Sequence, residues 1–151
     1  MHNIAEMNLM SKLNRNFMVI IDRDAGATDY NTKLEKQQKL KSFVENKGGE
    51  LIVLRKREIE NYYSPRVVME MLRERGIQID NLEIAEYDDV PNKMKLLSSG
   101  RNIQMKFKNN MDIFAQMTLE DWKQVSCFEE EGQICYEFTD IVNQIQEKLN
   151  I

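Results

Sequence analysis

Two carboxylates stand directly after an apolar run near the start of the chain. Five apolar residues, Phe17–Ile21, precede Asp22, and Asp24 follows one residue later. A short continuous apolar run is typical of a strand buried on both faces of a parallel sheet, and α/β folds gather their chemistry at the carboxyl ends of such strands. Neighbouring acids raise each other's pKa, a divalent cation removes that repulsion, and all-oxygen ligands favour Mg²⁺ or Mn²⁺. We therefore predict a metal site here.

A second acidic pair, Glu58 and Glu60, follows a second apolar run, Leu51–Leu54. If the two runs form neighbouring parallel strands, all four acids lie at one edge of the sheet, where two of them with water hold one metal and a fuller set holds a pair. The basic triplet Arg55–Arg57 between strand and acids suits an anionic substrate. Acids for metal beside bases for phosphate indicate a phosphodiesterase-type site.

Each part of this pattern has a simpler explanation when it is taken alone. An Asp-x-Asp pair also caps helices, a basic triplet is commonly a solvated edge, and Glu58 and Glu60 alternate around Ile59 as at an exposed strand end. For Tyr62 and Tyr63 we favour packing in the core over stacking on bases. The conjunction of the parts carries the metal-site prediction.

A strand–helix–strand unit must position these acids. Thr32 and Glu35 have the spacing of a capping box that opens a helix. That helix ends at Gly48–Gly49, where a left-handed residue costs little, and the Leu51–Leu54 run follows at once. Short connections of this kind predict a βαβ unit with parallel strands and a right-handed crossover.

The remaining chain is predicted to add helices around one partial domain over residues 1–151, with its core at 15–90 and a basic loop and C-terminal helices at 91–151. The predicted elements are a helix over 2–14, a helix begun by Ser64–Pro65 and ended by Gly76, a short strand around Leu82–Ile84, a break at Asp88–Pro91, a basic loop over 92–109, and helices over 110–117, 119–125 and 139–149. Thr118 and Asp121 form the capping box of the second of these last helices.

Bulk properties narrow the class of protein. A net charge of -4 gives no global nucleic-acid signature, although a local basic patch beside a metal site is enough to hold phosphates. Two cysteines, Cys127 and Cys135, and the single His2 exclude a zinc knuckle, and we expect free thiols. No signal peptide and no apolar run of about 20 residues is present, so we expect a cytoplasmic protein that does not enter a membrane.

The strings VIIDRD and, about 30 residues later, LRKREIENYYSP resemble the Toprim nuclease domain of the OLD (overcoming lysogenization defect) family of ATP-dependent endonucleases and its relatives in phage defence. The resemblance covers residues 15–75, and FKNNMDIFAQMTLEDW is similar to the family's C-terminal helices at lower specificity. It implies a Toprim-like parallel sheet with flanking helices, and hydrolysis of DNA phosphodiester bonds with Mg²⁺ or Mn²⁺.

Carried over to this chain, the resemblance makes Asp22 and Asp24 metal ligands, Glu60 the best further ligand and Glu58 the second. It also implies a lysine near the scissile phosphate, for which Lys106 is the first candidate and Lys108 the other. We accordingly assign catalytic roles to Asp22, Asp24, Glu60 and Lys106.

This sequence departs from the Toprim pattern in one respect. Toprim domains begin with a strand that ends in a glutamate, commonly Glu-Gly, a few dozen residues before Asp-x-Asp. Only 21 residues precede Asp22, and Glu6 falls in the predicted first helix. The first strand–helix unit is therefore expected to be missing, and no phosphate-binding loop for ATP is present. We expect an ATPase domain or partner chain to supply the missing unit, with self-association as an alternative.

Two other functions compete with the nuclease. A non-catalytic Toprim-like assembly or binding module would explain the missing glutamate, because an unsatisfied sheet edge invites a partner. A HAD-type phosphatase also places Asp-x-Asp after an apolar strand, but Gly26 occupies the place where that family has Thr or Val, and the Glu58–Tyr62 run has no role in it.

Overall fold

The computed structural model describes residues 17–24, 29–98 and 111–149. In chain order the elements are β1 (Met18–Ile21), α1 (Tyr30–Asn46), β2 (Glu50–Val53), a 3₁₀ turn (Ile59–Tyr62), α2 (Pro65–Glu74), α3 (Val90–Ser98), α4 (Met111–Gln116), α5 (Leu119–Ser126), β3 (Cys127–Glu130), β4 (Gln133–Tyr136) and α6 (Glu137–Leu149). The protein is therefore a mixed α/β structure in which helices outweigh two small sheets.

The predicted strand–helix–strand unit is confirmed. β1 and β2 pair in parallel with Ile20 opposite Ile52, and α1 connects them. The helix ends before Gly48, which adopts the left-handed φ of 79° expected at that position. The start of α1 differs from the prediction, because Asp29 precedes its first turn and Thr32 already lies inside the helix. The Thr32–Glu35 capping box is therefore wrong.

The parallel strands are less enclosed than the sequence predicts. Ile20 is 43% exposed and Val53 is 36% exposed. Within the ranges given above, the sheet that contains β1 and β2 has two strands, so neither strand has neighbours on both sides. No residue of β1 or β2 is fully buried, so the prediction of strands buried on both faces is wrong.

The core lies on the other side of β2, where α2, α3, α5 and α6 meet. Its fully buried members include Tyr62, Tyr63, Val67, Leu72 and Met94. The helix α2 presents Val67, Val68 and Leu72 to this core, and Pro65 stands in its first turn as predicted. Five aromatic rings form a connected chain of contacts in this core. Tyr62 and Trp122 each meet Phe138 edge to face, while Phe114 stacks on Trp122 and lies tilted against Tyr63.

Three further local predictions are revised. No strand forms around Leu82–Ile84, which lies in an irregular segment. The expected break at Asp88–Pro91 is the start of α3, where Asp89 accepts hydrogen bonds from the N–H groups of Asn92 and Lys93. That helix takes up the first residues of the predicted basic loop, while 99–110 and the predicted helix over 2–14 lie outside the described residues.

A hairpin that the sequence analysis did not predict joins α5 to α6. Its strands β3 and β4 pair antiparallel around Glu131 and Gly132, whose φ angles of 51° and 79° are both positive. In a two-residue hairpin loop, two positive φ angles give the turn a twist that matches the twist of the flanking strands. Cys127 and Cys135 lie on its two strands as free thiols. The capping box of Thr118 and Asp121 at the start of α5 is confirmed.

Candidate metal centre

Asp22 lies at the carboxyl end of β1, in a half-buried position. The backbone N–H of Ile59 donates to its carboxylate, and the side-chain amide of Gln37 donates to its backbone carbonyl at 3.1 Å. The pKa of Asp22 is raised, first by burial and then by the negative charges of Glu60, Asp24 and Glu58. The four acids that the sequence analysis singled out therefore act on one another in the folded chain.

Asp24 is held by the backbone and by a lysine. Its φ of 57° is in the left-handed region, and its N–H donates to the carbonyl of Arg57 at 2.7 Å. This bond ties the segment after β1 to the segment after β2. The carboxylate of Asp24 then lies 2.9 Å from Nζ of Lys33, and this contact raises the pKa of the lysine. Asp24 is thus in an ion pair at the edge of the site.

Glu58 and Glu60 sit on the turn that follows β2. Glu58 caps the 3₁₀ turn in a capping box with Asn61, and Arg57 Nε lies 3.2 Å from its carboxylate. Burial raises the pKa of Glu58, with a further contribution from Glu60. Glu60 also raises the pKa of Asp22, and only burial raises that pKa more. Of the four acids, Asp22 and Glu60 are therefore the pair whose interaction weighs most on the site.

The four carboxylates share a region without forming a complete metal cage. Across residues 17–24, 29–98 and 111–149, no three acidic, histidine or cysteine side chains converge as a ready set of ligands. The physical reason is that Asp24 faces Lys33 and Glu58 faces Arg57. Mg²⁺ is usually held by one or two carboxylates, with water and substrate phosphate completing its shell. The oxygen donors of Asp22 and Glu60 fit this mode of binding, whereas a site with four protein ligands does not.

The basic triplet before Glu58 is largely engaged within the protein. The Arg55 guanidinium stacks 3.8 Å from the centre of the Phe128 ring. Lys56 Nζ donates to the backbone carbonyl of Asn61 at 3.0 Å, and burial lowers the pKa of Lys56. Arg57 bridges Glu58 and, at 3.8 Å, Asp89. Arg57 is the member of the triplet that lies against the acids, whereas the charged groups of Arg55 and Lys56 contact Phe128 and Asn61.

A distant glutamate fixes the same segment. Glu137, the first residue of α6, is buried and accepts hydrogen bonds from the Arg55 N–H at 2.7 Å and from the Tyr62 hydroxyl at 2.5 Å. The Tyr62 hydroxyl in turn accepts from the Lys56 N–H at 3.1 Å. Burial and Glu137 raise the pKa of Tyr62, which keeps the hydroxyl protonated as a donor. No local motif marks Glu137, because its partners lie 82 and 75 residues earlier.

Asn61 gives the turn a second anchor. Its side-chain amide donates to the carbonyls of Ala85 and Asp88, and its carbonyl oxygen accepts from the Glu58 N–H. Together with Tyr62 and Tyr63, both fully buried, it makes this part of the chain structural. The prediction that the two tyrosines pack in the core rather than stack on bases is confirmed.

A cavity of about 840 Å³ opens beside Asp22 and Asp24, between α1 and β1. Its apolar lining comes from Ile20, Ile21, Leu40, Phe43, Leu54 and Ile59. Its basic lining comes from three lysines of α1, Lys33, Lys36 and Lys39. The sequence analysis did not identify this cavity, although the i, i+3 and i+6 spacing of these lysines is a signal for one basic side of a helix. The lysine candidates Lys106 and Lys108 lie outside the described residues.

No protein-family model, curated protein or solved structure matches this chain. Among the helices that the structure describes, none is long and apolar enough to cross a membrane.

Proposed function

We propose that this chain is a segment of a metal-dependent endonuclease that hydrolyses DNA phosphodiester bonds in the cytoplasm, as its resemblance to the Toprim domain of OLD-family nucleases implies. Asp22 and Glu60 would hold Mg²⁺ or Mn²⁺, with Asp24 and Glu58 at the margin of the site. An ATPase domain or a partner chain would act together with this chain. The observation that carries the proposal is the half-buried Asp22 at the end of β1, whose pKa is raised first by burial and then by the charges of Glu60, Asp24 and Glu58.

Such an arrangement is costly without a cation. Three acids beside Asp22 disfavour its ionised form, and burial removes water that would otherwise screen the charges. A structural role does not require acids to be placed together in this way, whereas cation binding turns their repulsion into attraction. Such a cost is expected of carboxylates that bind a cation.

The chain's own residues would support the reaction by orientation and charge. The Ile59 N–H holds one face of the Asp22 carboxylate, and Gln37 fixes the backbone behind it. Lys33 lies at the cavity edge with its charge directed to Asp24. A bound divalent metal would neutralise developing charge on the phosphate and activate the attacking water.

The first experiment is calorimetric titration of the intact chain with Mn²⁺ and Mg²⁺. Asp22→Asn removes one ligand charge with little change of shape. Asp80→Asn is the matched control, because Asp80 is exposed and is not among the charges that shift the pKa of Asp22. Binding by the wild type and the control but not by Asp22→Asn supports the proposal. Equal binding by all three proteins, or none by the wild type, contradicts it.

A second experiment tests the chemistry. Supercoiled plasmid is incubated with Mn²⁺ or Mg²⁺ and the chain, with and without a glutamate-bearing Toprim segment supplied separately. The proposal predicts nicking that Asp22→Asn and Glu60→Gln abolish and Asp80→Asn preserves. Nicking that survives both site substitutions would assign the activity to other residues.

One structural observation favours the alternative of a non-catalytic assembly module. Ile20 and Val53 leave apolar surface open on a sheet of two described strands, and open strand edges pair with other chains. If this alternative holds, Asp22→Asn leaves self-association or partner binding unchanged while no cleavage occurs in any variant. Analytical ultracentrifugation of both proteins separates this alternative from the nuclease.

A further inference from the structure

The cavity beside Asp22 has an apolar base and a basic rim. Its base is formed by aliphatic side chains of β1 and the segments after β2, with the Phe43 ring contributed by α1. Its size lies within the range of about 300–1,000 Å³ that is usual for small-molecule sites. A ligand that fills it would need a flat or apolar body and an anionic end.

The rim carries two lysines without an ion pair among the described residues. Lys33 is paired with Asp24, but Lys36 and Lys39 make no ion pair with any residue in the described part of the chain. The helix α1 carries four lysines and two glutamates, although the whole chain is acidic. Asp22 and Asp24 also lie on the lining, so three lysines face two carboxylates across the cavity, and an anionic group is expected on the α1 side.

We infer that this cavity binds an unpaired nucleotide of single-stranded DNA, with its base against Phe43 and Ile20 and its flanking phosphates at Lys36 and Lys39. This rests on the proposed function, since it names the form of DNA that the same site would take. An aromatic ring supplies a stacking surface for any base, and lysines track the backbone. A base within a duplex is already stacked and paired on both sides, so it cannot enter the cavity unless it is flipped out.

The test measures the binding of a short labelled oligothymidylate by fluorescence anisotropy. EDTA is present so that no metal contributes to binding. Phe43→Leu removes the ring but keeps an apolar side chain, and is expected to weaken binding about tenfold. The Lys36→Gln, Lys39→Gln double variant is expected to lower the slope of log K against log salt by roughly 1.4, at about 0.7 per phosphate contact on a single strand. Thermal unfolding of each variant checks that the fold is retained.

The matched control is Lys41→Gln, Lys123→Gln, which makes the same change of charge at lysines outside the cavity lining. It should bind like the wild type, and unlabelled duplex of the same length should compete poorly. Equal losses in the control and the cavity variants, or equal competition by duplex, would overturn the inference.

Failure of this inference is distinguishable from failure of the metal site. If calorimetry shows metal binding at Asp22 but Phe43→Leu and the Lys36, Lys39 variant bind the oligonucleotide like the wild type, the cavity inference is overturned and the metal proposal stands. If no metal binds and these variants still lose oligonucleotide binding, the cavity inference is supported and the metal proposal fails. If the wild type binds no oligonucleotide and self-associates, the cavity instead belongs to a polypeptide partner.

Discussion

The Tyr62 hydroxyl helps to join the turn after β2 to the helix α6, and Tyr62→Phe removes it without changing the ring. The hydroxyl donates to Glu137 and accepts from the Lys56 N–H. The ring keeps its edge-to-face contact with Phe138. The substitution therefore tests the hydrogen bonds separately from the packing.

The expected cost follows from the two bonds that are lost. A hydrogen bond to a charged group contributes about 1.5–3 kcal/mol, and a neutral one about 1 kcal/mol. Glu137 keeps one donor, the Arg55 N–H, so its charge is not left wholly unpaired. We expect Tyr62→Phe to lower the free energy of unfolding by roughly 2–4 kcal/mol, which for a chain of this size corresponds to a fall of about 4–16 °C in Tm.

The assay is urea unfolding followed by circular dichroism, with Tyr87→Phe as the control. Tyr87 is 48% exposed, so loss of its hydroxyl should change the free energy of unfolding by less than about 0.5 kcal/mol. A double-mutant cycle with Glu137→Gln should give a coupling energy of about 1 kcal/mol or more. If Tyr62→Phe matches the Tyr87 control, or the cycle shows no coupling, the hydroxyl does not join these two elements as described.

Three further substitutions test the site, the helix cap and the helix–strand connection. Asp22→Asn should raise the stability of the metal-free protein at pH 7 by up to about 1 kcal/mol. Because the pKa of Asp22 is raised in the folded protein, its ionisation costs stability as pH rises through that pKa. The gain in Tm should therefore vanish near pH 3, where Asp22 is protonated in both states. Asp121→Asn should cost about 1–3 kcal/mol at pH 7. Arg66 holds the pKa of Asp121 in the folded protein well below its usual range, so the stabilisation is present above the ordinary pKa of an aspartate. It is lost only as pH falls through the lowered pKa of the folded protein, which unfolding measured at decreasing pH will show. Gly49→Ala would place a methyl group 2.5 Å from the Phe17 ring and should cost about 1–3 kcal/mol in urea unfolding, and a neutral result would mean that the ring moves aside.

The elements that the sequence predicted well are those fixed by neighbours in the chain. The apolar runs gave β1 and β2, the Thr118–Asp121 spacing gave the start of α5, and Gly48 gave the end of α1. In each case the deciding interaction spans four residues or fewer, or depends on the conformational freedom of a single residue. The proximity of Asp22 to Glu60 was also predictable, because it follows from parallel pairing once the two strands are adjacent.

Other features depend on contacts that are distant in sequence. Glu137 looks like an ordinary first-turn acid of a helix, and only the fold shows that it binds Arg55 and Tyr62. The pairing of Asp24 with Lys33 likewise depends on where α1 begins, which the Thr32 capping box misplaced. The hairpin was missed because β3 carries two adjacent glutamates and neither strand shows an obvious alternation of apolar residues. To predict the cavity, one would need to know both where α1 begins and that β1 is exposed.

The long separation between Arg55 and Glu137 affects the order in which a newly made chain can complete this region. Arg55 leaves the ribosome 82 residues before Glu137, an interval of roughly 4–16 s at ordinary rates of translation. During that interval the acids after β1 and β2 already exist, but the turn that carries Glu58 and Glu60 lacks the carboxylate that fixes its backbone. The acidic site therefore reaches its final arrangement only after α6 has been synthesised and has docked, so a nascent chain would carry its acids without a working geometry.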